Sequence, residues 1–177
     1  MTPYSPIPRR VRQRDTARAA VYAAENQVAR ILDRSVEHPV VDVVGSHLTL
    51  PPERHFGDLA GVQRYVDAVL GLDWVRRQWP KRALLRMKVR ERRGASKAHY
   101  EVASATVAVP IHRAEAQWAL REMVLLHEIA HHLGGPDDPD HSLAFTDRMI
   151  ELLDGIIGGE VALLLRVALA DQNASSA

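Results

Sequence analysis

The sequence contains no cysteine, which excludes disulfide bonds, thiolate zinc ligands and cysteine nucleophiles. Lysine is scarce, so arginine carries nearly all of the positive charge, and the formal net charge of +1 gives no overall field that favours nucleic acid or a membrane. No apolar run approaches the roughly 20 residues that span a membrane; the most apolar stretch, 161–170, is interrupted by Arg166. The charged N-terminal segment is not followed by an apolar one, so we expect no secretory signal and a cytoplasmic, soluble protein without a membrane partner.

Length and composition predict one domain. A hydrophobic fraction of 46% supplies enough material for a core in a chain of 177 residues. Residues 1–14, rich in proline and arginine, predict a flexible N-terminal arm. Residues 15–170 then form the single domain, and residues 171–177 a small, polar, disordered tail.

Hydrophobic periodicity predicts a mixture of helices and short strands. The fold class that we expect is α+β, with helices on one side of a mixed, mostly antiparallel sheet. The predicted strands are 40–44, 47–50, 85–89, 99–102 and 106–109, and the predicted helices are 15–37, 58–70, 74–79, 113–133, 142–153 and 160–170.

The helix predicted at 113–133 carries the motif HExxH as His127, Glu128 and His131. Residues i and i+4 stand on one face of a helix about 5–6 Å apart at Cβ, so two imidazoles so placed can occupy two corners of a zinc tetrahedron. Glu128 can reach the edge of that site without binding the metal. It is therefore the candidate general base, which takes a proton from a zinc-bound water and passes it to the leaving group.

A catalytic zinc ion usually has a third protein ligand and an open position. His141 lies just beyond the loop that follows the helix, and a bend at Gly134-Gly135 would let the next segment fold back over the site. Asp137 is the rival, because it matches the metzincin spacing with aspartate in place of the last histidine, as in snapalysin-type proteases. Asp138, Asp140 or a distant residue are further alternatives. The expected metal complement is one Zn²⁺ per chain.

The segment HEIAHHLGGPDDPDHSLAF resembles the SprT-like metallopeptidases and the wider minimal zincins. In those proteins an element of the form His-Gly-x-x-Phe/Trp supplies the third ligand and a core aromatic residue. Here that element would run from His141 to Phe145, with Ser142 where glycine is usual. Residues 15–170 also resemble a group of uncharacterised metallohydrolases of GC-rich bacteria. The resemblance implies a zincin-like fold and His141 as third ligand, and it implies no substrate.

Several other side chains could contribute to the site. His132 lies beside the motif and is expected to face solvent or to support a ligand. His99 and His112 are expected to be core or surface histidines, with a transition-state donor as the alternative. Tyr100 is expected to pack in the sheet, although its hydroxyl could donate to an oxyanion.

Charged segments complete the set of candidates. The acidic residues of the loop 137–140 could orient a ligand imidazole or form a solvated loop that caps the next helix. The arginine clusters at 9–14, 76–82 and 86–93 are expected to be solvated faces, with an acidic partner as the alternative.

Together these features predict a zinc metallopeptidase or related metallohydrolase acting on a peptide or protein. We expect an edge strand, 106–109, to bind the extended peptide by strand addition. The alternative is a metal-stabilised, non-enzymatic module that binds nucleic acid or protein through an arginine-rich face. Nucleic acid is the less favoured partner, and Glu128 separates the two hypotheses, since a structural zinc site does not need it.

Overall fold

The structure is a computed structural model that describes residues 9–93, 97–111 and 119–174. Within these ranges the fold is mixed α+β, as predicted, and no helix there combines the length and apolarity needed to cross a membrane. In chain order the elements are α1 (Arg9–Ser35), β1 (Val40–Val43), β2 (Ser46–Thr49), α2 (Leu59–Gly71), α3 (Asp73–Gln78), α4 (Pro80–Ala83), β3 (Lys88–Glu91), β4 (His99–Glu101), β5 (Thr106–Val109), α5 (Glu122–Gly134), α6 (Leu143–Ile156) and α7 (Gly159–Ala174).

The described strands form two small sheets rather than the single sheet that was expected. β1 and β2 make an antiparallel hairpin, while the second sheet has the order β3-β5-β4, with β3 parallel and β4 antiparallel to β5. The prediction that 106–109 is an edge strand is therefore wrong. All four residues of β5 are buried, as expected for an apolar run in the centre of a sheet, and β4 and β3 form the edges.

The helices build most of the core around α5. α1 packs along α7, and α6 packs against both α5 and α7. Ten of the 13 residues of α5 are buried, including His127 and Glu128. A helix that is buried on nearly all sides holds its polar side chains within the protein, where they need partners.

Two helix boundaries differ from the predictions. α1 begins at Arg9 rather than at residue 15, because residues 9–14 contain no proline or glycine that would stop the helix from extending. α5 begins at Glu122 rather than at residue 113. Arg121 instead forms an isolated antiparallel bridge with His55, and the Glu122 N–H donates to the Arg54 carbonyl at 2.9 Å. The start predicted for this helix, with Trp118, lies outside the described residues.

Three further boundaries are shifted. A new helical turn, α4, starts at Pro80, since proline suits the first position of a helix as well as it ends one. The strand predicted at 85–89 forms at Lys88–Glu91, because the Leu85 N–H closes a turn onto the Arg82 carbonyl. α7 continues to Ala174, four residues beyond its predicted end at residue 170.

Candidate metal centre

Three histidines converge at the end of α5. His127 and His131 come from the helix, and His141 comes from the residue before the cap of α6. The His127 Nε2 lies 3.1 Å from the His131 Nε2 and 3.3 Å from the His141 Nε2. Two nitrogens bound to one tetrahedral zinc ion at ~2.0–2.1 Å are separated by about 3.3 Å. The triad could therefore hold a metal ion.

The return of the chain to α5 depends on two glycines. Gly135 has φ = 86°, a left-handed conformation that glycine adopts without cost. A Cβ on Gly134 would lie 2.6 Å from the Nη1 of Arg148, so only glycine leaves room for this arginine. Arg148 binds the Asp138 carboxylate and donates to the Ala130 carbonyl at 3.1 Å. This ion pair attaches the loop after the glycines to α5 and α6.

His141 is held by its backbone and by aromatic contacts. Its φ is 56°, in the left-handed region that non-glycine residues adopt rarely. Ser142 then caps α6 by accepting a hydrogen bond from the Phe145 N–H at 3.2 Å. The buried Phe145 ring lies 4.4 to 5.0 Å from the ring centroids of all three histidines. A strained residue followed by a strong cap fixes the third imidazole against the other two.

Glu25 orients His127. A carboxylate only accepts hydrogen bonds, so the His127 Nδ1–H donates to the Glu25 Oε1 at 2.6 Å and the Nε2 faces the other histidines. Burial lowers the pKa of His127, but the charge and hydrogen bond of Glu25, together with the charge of Glu128, raise it overall. Glu25 would stabilise a metal ion on this imidazole for the same reason, because a bound metal ion, like a bound proton, places positive charge on the ring.

The other two histidines stay neutral over a wide pH range. Burial, followed by the charge of His127, lowers the pKa of His131 to about 2 and that of His141 to about 4. A neutral imidazole is the form that binds metal. Asp140 Oδ1 lies 3.8 Å from the His131 Nδ1, but its side chain is 79% exposed, so this contact is weak.

Glu128 lies beside the triad without joining it. Its side chain is buried, and burial is the largest cause that raises its pKa to about 7. The backbone N–H of Tyr100 acts in the opposite direction and lowers this pKa. Because Tyr100 is in β4, the edge strand lies close to Glu128.

Two cavities meet at this carboxylate. The first, which we name the cleft, has a volume of about 380 Å³ and runs along β4 past His131 and His141. The second, which we name the side cavity, has a volume of about 290 Å³ and lies between α1 and α5 beside His127. Tyr22, Ala98 and Glu128 line both cavities. Glu128 thus faces the space in which a substrate could reach the triad.

His132 differs from the expectation of a solvent-facing residue, since it is fully buried. Its Nε2–H donates to the carbonyls of Arg82 and Leu85 at 3.0 and 2.9 Å, and its Nδ1 accepts from the Tyr100 hydroxyl at 2.8 Å. Arg82 also donates to that hydroxyl at 3.0 Å. The Tyr100 hydroxyl is therefore engaged away from the triad, as the prediction of a packed tyrosine requires.

The remaining predicted residues occupy varied positions. Asp137, the metzincin-like alternative for the third ligand, is exposed and lies outside the triad. Among the described residues it is His141 that lies next to His127 and His131. His99 is exposed and lines the cleft, whereas His112 lies outside the described residues. Among the clustered arginines, Arg90 pairs with Glu101 and Arg82 is partly buried; the side chains at 9–14 lie outside the description.

Two residues of α1 contact the triad although no motif in the sequence marks them. Tyr22 stacks on His127 with ring centroids 5.4 Å apart, and Glu25 binds the same imidazole. The only available signal was their i, i+3 spacing on one face of the first helix, which is also the spacing of ordinary amphipathic helices. No protein-family model, curated protein or solved structure matches the chain.

Proposed function

We propose that this protein is a zinc-dependent hydrolase of the zincin type, most simply a metallopeptidase. The histidine triad supports one zinc ion bound through His127, His131 and His141. Zinc at this position would supply Lewis-acid activation of water and of a carbonyl group. The absence of thiols and the neutral imidazoles are consistent with this metal among several that imidazole binds.

The observation that carries the proposal is the position of Glu128. It is buried next to the triad and it lines the cleft, which suits a general base. In the proposed reaction Glu128 removes a proton from the attacking water. It then returns that proton to the nitrogen that leaves when the amide bond breaks.

The β4 edge supports a peptide as the substrate. Among the described strands β4 pairs only with β5, so no described strand occupies its outer edge. The cleft runs along this edge and ends at His131 and His141. A peptide added to β4 would bring one of its carbonyl groups to the triad. In this proposal β4 takes the place that the sequence analysis gave to residues 106–109.

The test pairs metal content with turnover in Glu128→Gln. Glutamine keeps the size of the side chain but accepts no proton. The variant should retain zinc and lose turnover of a peptide library by about 10²–10⁴-fold, the usual contribution of general-base catalysis. Glu151→Gln is the matched control, because Glu151 lies in α6 away from the triad and binds Gln78. It should behave as the wild type.

Two outcomes would contradict the proposal. Equal turnover in the wild type and in Glu128→Gln would exclude Glu128 as the base. A zinc-loaded wild type that cleaves no peptide or ester in a broad library would favour the metal-stabilised binding module.

A further inference from the structure

The side cavity has a location that suits substrate recognition. One wall is formed by His127 and Glu128, and the opposite wall is formed by α1. The cavity shares Tyr22, Ala98 and Glu128 with the cleft, so the two spaces adjoin at the proposed general base. A group attached to a substrate atom next to the reacting carbonyl would therefore lie at its entrance.

The chemistry of the walls favours an apolar occupant. Ala29, Ala98, Met123 and Val124 contribute hydrocarbon surface. The buried guanidinium of Arg121, also on the wall, is already bound by Glu53 and by Asp33 at 2.8 Å. Glu25 is likewise engaged, by His127. Arg121 and Glu25 are therefore already paired within the protein and offer little to a charged side chain of the substrate. An apolar side chain would instead be stabilised by the transfer of its surface from water to the hydrocarbon wall.

The volume of the side cavity is sufficient for one large side chain. Pockets that enclose small molecules usually measure about 300–1,000 Å³. The side cavity, at about 290 Å³, lies just below that range. It can accept a branched aliphatic or a phenyl group.

We propose that the side cavity selects substrates with a large apolar side chain next to the bond that is cleaved. The inference rests on the proposed zinc-dependent hydrolysis and adds a class of substrate to it. The entrance of the side cavity also carries cations, since the Lys97 Nζ lies 4.4 Å and the Arg18 Cζ 5.6 Å from the centroid of the Tyr22 ring. Recognition of an acidic side chain is therefore the competing outcome of the test.

The test measures binding rather than turnover, with hydroxamates as zinc-directed probes. Isothermal titration of the zinc-loaded full chain compares acetohydroxamate with the hydroxamates of 4-methylpentanoic acid, 3-phenylpropanoic acid and succinic acid. Burial of a leucine-sized or larger group should make the two apolar probes roughly 10- to 100-fold tighter than acetohydroxamate. Equal affinities, or tightest binding of the succinic acid probe, would overturn the inference.

Substitutions that fill the side cavity distinguish binding of the apolar group from binding of the hydroxamate to zinc. Ala29→Phe places a ring in the cavity and should remove the advantage of the apolar probes over acetohydroxamate. The matched control is Ala19→Phe, an identical substitution at an exposed position of the same helix, which should keep the advantage. Val124→Phe, on the α5 wall, should repeat the result of Ala29→Phe if the latter folds poorly.

The outcomes distinguish the two proposals. If all probes bind equally and binding needs zinc, the metal site stands and the cavity does not select side chains. If no hydroxamate binds the zinc-loaded protein, both the proposed function and this inference fail. If Ala29→Phe and Val124→Phe keep the full advantage, the apolar groups bind elsewhere and the inference alone is wrong.

Discussion

Removal of the Glu25 carboxylate should weaken zinc binding although Glu25 does not touch the metal. The carboxylate accepts the Nδ1–H of His127 at 2.6 Å, and the His127 residue is only 3% exposed. Little solvent competes for this hydrogen bond, so its loss frees the ring to rotate and removes the charge that supports it. Outer partners, which hydrogen-bond a metal ligand without binding the metal, contribute about 10- to 100-fold to metal affinity. We therefore expect Glu25→Ala to cost about 1.4–2.8 kcal/mol of zinc binding free energy.

Asp140 provides a control within the same site. Its carboxylate also faces a triad histidine, but the distance to the His131 Nδ1 is 3.8 Å and the side chain is 79% exposed. Solvent screens such a pair, and exposed pairs contribute about 0.2–1 kcal/mol. Asp140→Ala should therefore change the zinc affinity by no more than about 5-fold. Glu25→Gln, which keeps an acceptor but no charge, should fall between the two.

The assay is a competition titration against a chromophoric zinc chelator at pH 7.5 or so and about 0.15 M salt, where exposed charges are screened within ~8 Å. Circular dichroism of each metal-free variant checks that the total helical content is unchanged. Equal losses in Glu25→Ala and Asp140→Ala would refute the argument from burial and distance. A loss below about 3-fold in Glu25→Ala would show that Glu25 does not support His127, contrary to the expected contribution of outer partners.

Three other measurements test the structure. His141→Ala should lower zinc affinity by more than the ~100-fold limit of outer partners, and Asp137→Ala by less than ~10-fold; the same chelator titration checks both. Phe145→Ala should lower the free energy of unfolding by about 3–5 kcal/mol in urea, because this ring is fully buried among the histidines. Burial and a neighbouring carboxylate raise the pKa of Tyr65 in the folded protein. Tyr65 therefore ionises first in the unfolded chain, and the free energy of unfolding should fall above pH ~10 by up to about 1.4 kcal/mol per pH unit. Tyr65→Phe should show a shallower fall in urea titrations between pH 10 and 11 or so.

The motif helix and its end were determined by local sequence. The spacing of His127 and His131 places them on one face of any α-helix, whatever surrounds it. Two glycines then end the helix, and Ser142 caps the next one, since both signals act through nearby backbone groups. The third histidine lies between these two signals, so its return to α5 was also predictable.

The partners of these residues were decided only by the tertiary structure. Glu25 is 102 residues from His127 in sequence, and no local pattern records which helix face will pack on α5. Likewise, the β-branched residues of β5 predict a strand, but its central position follows from pairing with β3 and β4 on either side. Periodicity fixes the direction of a side chain relative to its own element, whereas packing between distant elements fixes what that side chain meets. For this reason the sequence predicted the candidate zinc ligands, while the side cavity and the β4 edge emerged only from the folded chain.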